Sequence, residues 1–208
     1  MAQSTIVLIG AGGHARSCID VIEQQGFYKI AGLVGRENEV GQQLFGYPII
    51  GTDRDLPALA VEYKYALITV GQVINPDARI GLYEQAQRDG FLFGKVISPL
   101  AYVSPRAVTG AGTIIMHGAV INAGATVGEN CIINSHSLIE HDSEVGNHCH
   151  ISTGVVLNGS VRVGEGTFVG SGSKVRENLV LGQRVIIDMG TILYSSVSDY
   201  KRVASKIK

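Results

Sequence analysis

Three cysteines in 208 residues are too few, and of the wrong parity, for a disulfide framework. An excess of either charge is also missing. Lys plus Arg total 17 against 18 Asp plus Glu, a formal net charge of −1, which leaves no electrostatic footprint for nucleic acid or an anionic membrane surface. No apolar run approaches the roughly 18 residues of a membrane span, so no membrane insertion is expected. The chain enters an apolar stretch at Thr5 without a basic segment or a cleavage site before it. No secretory leader is expected from this stretch, and the expectation is a cytoplasmic protein. No serine or cysteine stands beside a base in the manner of an activated nucleophile. Hydrophobic residues at 45% exclude wholesale disorder. Glycine is what the chain has in excess: 27 residues, about 13% against about 7% on average.

The glycines and aliphatic residues of the second half share a period. Every sixth residue from Val103 through Ile115, Ile121, Val127 and Ile133 to Ile187 and Leu193 is aliphatic, Thr109 alone excepted. Two places before each stands a second series, small at first (Ala101, Ala107, Thr113, Ala119, Ala125, Cys131, Ser137, Ser143, Cys149) and partly aliphatic later. A six-residue period fits neither a 3.6-residue helix nor a hairpin array; it is the hexapeptide β-helix pattern. Gly110, Gly128, Gly146, Gly164 and Gly182 add a period of 18, so three hexads make one coil. Glycine at one corner of each coil suggests a corner that needs positive φ. Residues 18 apart stack, which places Cys131 on Cys149 as paired small core residues. Parallel Cβ vectors suit a disulfide badly.

The first hundred residues alternate differently. Strand Thr5–Ile9 runs into Gly10-Ala11-Gly12-Gly13-His14-Ala15, a G-x-G-x-x-A turn, followed by a predicted helix over His14–Gln25 that Gly26 ends. Strands are expected at Ile30–Val34 and Tyr65–Gly71, and a helix at Pro76–Asp89. This reads as a small parallel α/β domain, giving domains over 1–95 and 96–208. The glycine turn presents backbone N–H groups and a helix N-terminus to a phosphate. A dinucleotide site wants an acidic residue at the end of the second strand, where Gly35-Arg36 stands, so NAD is poorly supported. The remaining readings are a nucleotide-sugar phosphate, the extra phosphate of NADP on Arg36, and a turn without ligand.

Five of six histidines fall in the repeat: His117, His136, His141, His148 and His150. His141 stands out. It lies two residues after Ile139 and so points outward, and its stacked neighbours Ala123 and Gly159 are tiny and leave a hollow around the ring. Glu140 and Asp142 flank it. An imidazole among carboxylates has a raised pKa and a fixed tautomer, which suits a general base acting by direct transfer. His117, His136 and His141 raise the alternative of a zinc hydratase resembling the γ-class carbonic anhydrases. Their separations of 19 and 24 do not follow the 18-residue stack. A catalytically silent, ligand-binding scaffold is the third reading.

Taken with Ile9–Arg16, Gly46-Tyr47-Pro48-Ile49-Ile50-Gly51 and the segment Asn134-Ser135-His136-Ser137-Leu138-Ile139-Glu140-His141-Asp142, the chain resembles the bacterial sugar acetyltransferases that join a Rossmann-like domain to a left-handed β-helix. The resemblance covers nearly the whole chain. It implies acetyl-CoA as co-substrate, a nucleotide-linked amino sugar of surface-glycan biosynthesis as acceptor, and a homotrimer with sites in the clefts between neighbouring rods. Sialic acid or another sugar hydroxyl is the alternative acceptor. It assigns His141 as general base supported by Glu140. It places Gly12, Gly13 and His14 at the nucleotide sugar, Asn134 at the acceptor, and His150, Gly159 and Ser171 near the pantetheine and thioester. The chain departs from the family pattern in having Arg36 where acidic residues usually stand, and in its basic C-terminus with Lys201, Arg202 and Lys206, which reads either as a contact to the coenzyme's 3′-phosphate or as a solvated basic tail.

Overall fold

The structure, a computed structural model, describes residues 3–204; Lys206 therefore lies outside the described residues. The chain forms two compact units. The first comprises 1–71 with 77–97, and the second 72–76 with 98–208.

The first unit is built on β1 (Ser4–Ile9), α1 (Gly13–Gln25), β2 (Tyr28–Val34), β3 (Gln43–Leu44), β4 (Tyr47–Gly51), α2 (Leu56–Glu62), β5 (Tyr65–Ile68), α3 (Asp77–Arg88) and β6 (Leu92–Phe93). Strands run in the order β3-β4-β2-β1-β5-β6, parallel except for the β3–β4 hairpin. The core of β1 (Ile6, Val7, Leu8, Ile9) is wholly buried, as expected of a central parallel strand. Helix α1 lays Cys18, Ile19, Val21 and Ile22 inward and stops at left-handed Gly26 (φ 70°), whose N–H bonds Ile22 O at 3.0 Å. The hairpin and α2 carry no period long enough to be read from sequence.

The second unit stacks two-residue strands on three faces of a left-handed β-helix. One face runs Ile114–Ile115, Ile132–Ile133, His150–Ile151, Phe168–Val169, Ile186–Ile187 and Arg202–Val203; the next begins at Tyr102–Val103 and ends at Ile192–Leu193. Pairing is parallel in steps of 18: Ile115↔Ile133↔Ile151↔Val169↔Ile187. The aliphatic series fills the interior. The small series does more than fill space, because its polar members tie successive coils. Thr113 Oγ1, Cys131 Sγ, Cys149 Sγ and Thr167 Oγ1 donate to the carbonyls of Gly128, Gly146, Gly164 and Gly182, at 2.8, 3.1, 3.1 and 2.7 Å. Cys18, Cys131 and Cys149 are all buried free thiols, and burial pushes the Cys149 thiol well up.

The corner glycines differ from expectation. Gly110, Gly128, Gly146, Gly164 and Gly182 do not take positive φ; they are required by close approach. A Cβ on Gly164 would lie 2.5 Å from the backbone carbon of Gly182. The left-handed residue is another one, recurring every six: Gly112, Gly118, Gly124, Asn130, His136, Asp142, His148, Gly154, Ser160, Gly166, Gly172, Asn178, Arg184 and Gly190. Besides glycine, these are mostly the Asn, Asp and His that tolerate this region best. His136 and His148 are therefore turn residues.

Candidate functional site

The first unit holds a cavity of about 570 Å³ at the carboxyl ends of its parallel strands, where open α/β sheets bind ligands. Gly10–His14 after β1, Gly35 and Arg36 after β2, and Thr69–Gly71 after β5 line it. Gly10 has to be glycine: its φ is +120° and a Cβ would sit 2.6 Å from Val70 Cγ2. A Cβ on Gly12 or Gly13 would meet nothing within 4 Å, so that wall of the cavity is open backbone at the start of α1. No acidic side chain occupies the first turn of α1, which leaves its positive end for an anion. Arg36 is exposed at the rim. The carboxylates that line the cavity are not Glu37, which follows Arg36 directly, but Glu39 and Asp53 from farther along. Glu39 Oε2 accepts the Arg36 N–H at 2.7 Å, and burial pushes the Asp53 carboxyl up.

In the second unit, the turn after Leu138–Ile139 presents His141. Its Nδ1 lies 2.9 Å from Asp142 Oδ2, and this bond raises the imidazole above its ordinary 6.5, with the Asp142 and Glu140 charges adding to it. A carboxylate can only accept, so Nδ1 carries the proton and Nε2 keeps its lone pair. The hollow expected from Gly159 is there: a Cβ on that residue would stand 2.7 Å from Nε2 and 2.8 Å from Cε1. Gly124 makes the same allowance for Asp142, whose Oδ1 a Cβ there would strike. Asp142 reaches the ring because it is left-handed, with φ 59°. Glu140 plays a different part. Its Oε2 accepts from Asn122 Nδ2 at 2.8 Å and from the backbone N–H of His141 at 3.2 Å, and the imidazole's carboxylate partner is Asp142. The side chain of Asn158 turns away, donating to Val175 O at 2.7 Å.

Asn134 and His150 are brought together, Nδ2 to Nε2 at 3.2 Å. Ser171 pairs instead with Ser152, Oγ to Oγ at 2.9 Å. The Arg202 guanidinium is engaged by Asp188, at 3.0 Å from both Nε and Nη2. His117 Nδ1 bonds Ser98 Oγ at 2.6 Å. Among the described residues, no group of three or more His, Cys, Asp or Glu is placed to hold a metal ion. No helix among them is long and apolar enough to cross a membrane.

Because a general base must be unprotonated, activity resting on His141 is expected to fall as pH drops through its raised pKa. Asp142→Asn removes the charge that raises it and moves the acidic limb of the kcat/KM profile to lower pH. An acidic limb unmoved by this change would separate it from His141.

Two family descriptions match the chain: the PglD N-terminal domain over residues 5–86, and the bacterial transferase hexapeptide (six repeats) over 106–141. The chain is thus a hexapeptide-repeat transferase with an added N-terminal α/β domain. Perosamine N-acetyltransferase from Caulobacter crescentus, solved as a histidine-to-asparagine variant with CoA and GDP-perosamine, superposes with a TM-score of 0.90 at 30% identity. The match covers 97% of this chain and 93% of that one. The acetyltransferase domain of PglB from Neisseria gonorrhoeae, solved with acetyl coenzyme A, gives 0.89 at 30% identity over 98% and 97%. WeeI from Acinetobacter baumannii shares the fold at 0.85 and 19% identity. The chain belongs to the bacterial sugar acetyltransferases that join an N-terminal α/β domain to a left-handed β-helix.

Proposed function

We propose that the protein transfers the acetyl group of acetyl-CoA to the amino group of a nucleotide-linked amino sugar in bacterial surface-glycan biosynthesis. The observation that carries this is the His141–Asp142 pair, a base of fixed tautomer set over Gly159, in a chain similar along nearly its whole length to enzymes solved with CoA and GDP-perosamine. His141 Nε2 takes a proton from the sugar amine as its nitrogen attacks the thioester carbonyl. A C–N bond forms, the C–S bond breaks, and the proton passes from His141 to the departing thiolate. Asp142 stabilises the imidazolium in between. Glu140, tied to Asn122, holds the backbone of His141 and so acts as a positioning residue. The open backbone of Gly12 and Gly13, with His14, takes the diphosphate of the nucleotide. Asn134 serves the acceptor, while Gly159 and Ser171 stand on the acetyl-CoA side.

The active assembly in this reading is a cytoplasmic homotrimer. The outward positions of one β-helix face support it: Tyr102, Val120, Leu138, Val156 and Ile192 form an apolar ladder broken only by Lys174. The neighbouring face carries Thr126, Glu144 and Arg162 with an ion pair at 3.4 Å. An apolar stripe on a soluble rod fits contact with further copies of itself.

The test is the chemistry of the product. Labelled acetyl-CoA and a nucleotide-linked 4-amino sugar are expected to give a singly acetylated product whose acetyl group survives mild alkali, as an amide does. Loss of the label under mild alkali would identify an ester and transfer the reading to a sugar hydroxyl.

A further inference from the structure

In the first unit, β6 is the edge strand beside β5 and is only two residues long. Alternate carbonyls of β5 face it. Lys64 O accepts the Leu92 N–H at 2.9 Å, and Ala66 O accepts the Gly94 N–H at 3.3 Å. The next two acceptors in that row, Ile68 O and Val70 O, lie beyond the end of β6. One nitrogen serves both: Arg79 Nη1 donates to Ile68 O and to Val70 O, each at 2.8 Å. Arg79 stands in the first turn of α3 and is 1% exposed. Burying a guanidinium is costly, but an apolar side chain there would leave both carbonyls without these bonds.

Those carbonyls belong to a wall of the cavity. Thr69, Val70 and Gly71 line it after β5, and Leu82, three residues beyond Arg79 on α3, lines it too. From the β1 side Thr69 is held twice, its N–H by Ile9 O at 2.8 Å and its hydroxyl by Gly10 O at 2.6 Å. From the other side Arg79 holds the residues flanking Thr69. The glycine turn leans on this wall. Val70 is the residue that a Cβ on Gly10 would strike, and a Cβ on Gly71 would lie 3.5 Å from His14 Cβ. Where residues 68–71 stand therefore decides where Gly10 and His14 can stand.

We propose that Arg79 is a positioning residue for the anion-binding turn: the two N–H groups of Nη1 complete the edge of β5 where β6 stops, and so hold Thr69–Gly71 against Gly10 and His14. It acts from within the unit, without lining the cavity itself. That the ligand is a nucleotide rests on the function proposed above; the clamp does not.

Arg79→Lys tests it. Lysine keeps the charge but offers a compact ammonium in place of the planar fork. Calorimetry with GDP and UDP needs no turnover. The variant is expected to bind both about tenfold more weakly, the worth of one misplaced contact to a charged group, with acetyl-CoA affinity within about twofold of wild type. In turnover the same split appears as a raised KM for the nucleotide sugar against an unchanged KM for acetyl-CoA. Wild-type affinity for GDP and UDP in the variant would overturn the proposal, as would equal losses for nucleotide and acetyl-CoA, the pattern of a merely structural arginine. If Arg79→Lys does not fold, NMR of the wild-type protein carries the test. Adding GDP or UDP is expected to shift the Ile68 and Val70 carbonyl carbons and the Arg79 Nη signals together with the Gly12 and Gly13 amides. Shifts at the amides alone would overturn the clamp's role. A wild-type protein that binds neither nucleotide would remove the nucleotide reading and this proposal with it, whereas binding that Arg79→Lys leaves unchanged sinks the proposal alone.

Discussion

His141→Ala is expected to lower kcat by about two to four orders of magnitude, the usual worth of a positioned general base. Binding of acetyl-CoA and of the nucleotide sugar, read by calorimetry, should stay within about twofold, because the ring is exposed and its bond to Asp142 lies within the same turn. The fold should be untouched for the same reason. Gly159→Ala gives a milder version: the added Cβ meets the tip of the imidazole, which can swing away at the cost of its aim. A His141→Ala enzyme with unchanged kcat, or one whose loss lies wholly in KM, would remove His141 from the chemistry.

The second large effect is on stability. Gly164→Ala puts a methyl group 2.5 Å from Gly182 C, 2.6 Å from Gln183 N and 2.7 Å from Gly182 O. All three are backbone atoms held in the coil ladder, and Cys149 Sγ already bonds the Gly164 carbonyl. Nothing there can yield without separating two coils. The cost is expected at or above the top of the overpacking range, about 3 kcal/mol. Since each coil contacts only its neighbours, loss of one interface weakens the rod on both sides. Gly154→Asn is the control. Gly154 is left-handed at φ +66° with open space around it, and asparagine tolerates that region, so its unfolding midpoint should barely move. Equal midpoints for the two variants would refute the close-approach reading of the corner glycines.

The contrast shows which parts of the molecule the sequence made legible. Its period of 18 gave the number of hexads per coil, the register and the inward series, because stacked coils repeat one local rule. The reason for the corner glycines was misread. A conformational need and a packing need leave the same letter in the chain, and only the neighbouring coil distinguishes them. His141 and its hollow over Gly159 were legible from stacking alone. Asp142 as the partner of the ring was only half so, since its reach depends on a left-handed turn that the repeat places at every sixth residue. Glu39, Asp53 and Gln72 were not legible. The first two reach the cavity from short irregular segments, and Gln72 joins the rod from within a stretch that reads as part of the α/β domain.

Thiol release from acetyl-CoA, followed for the wild-type protein with nucleotide-linked 4-amino sugars and with sialic acid, tests the central claim most directly. The account predicts turnover with a nucleotide-linked amino sugar, abolished in His141→Ala and shifted to lower pH in Asp142→Asn. No thiol release with any acceptor from a folded protein would contradict it and leave the β-helix as a binding scaffold.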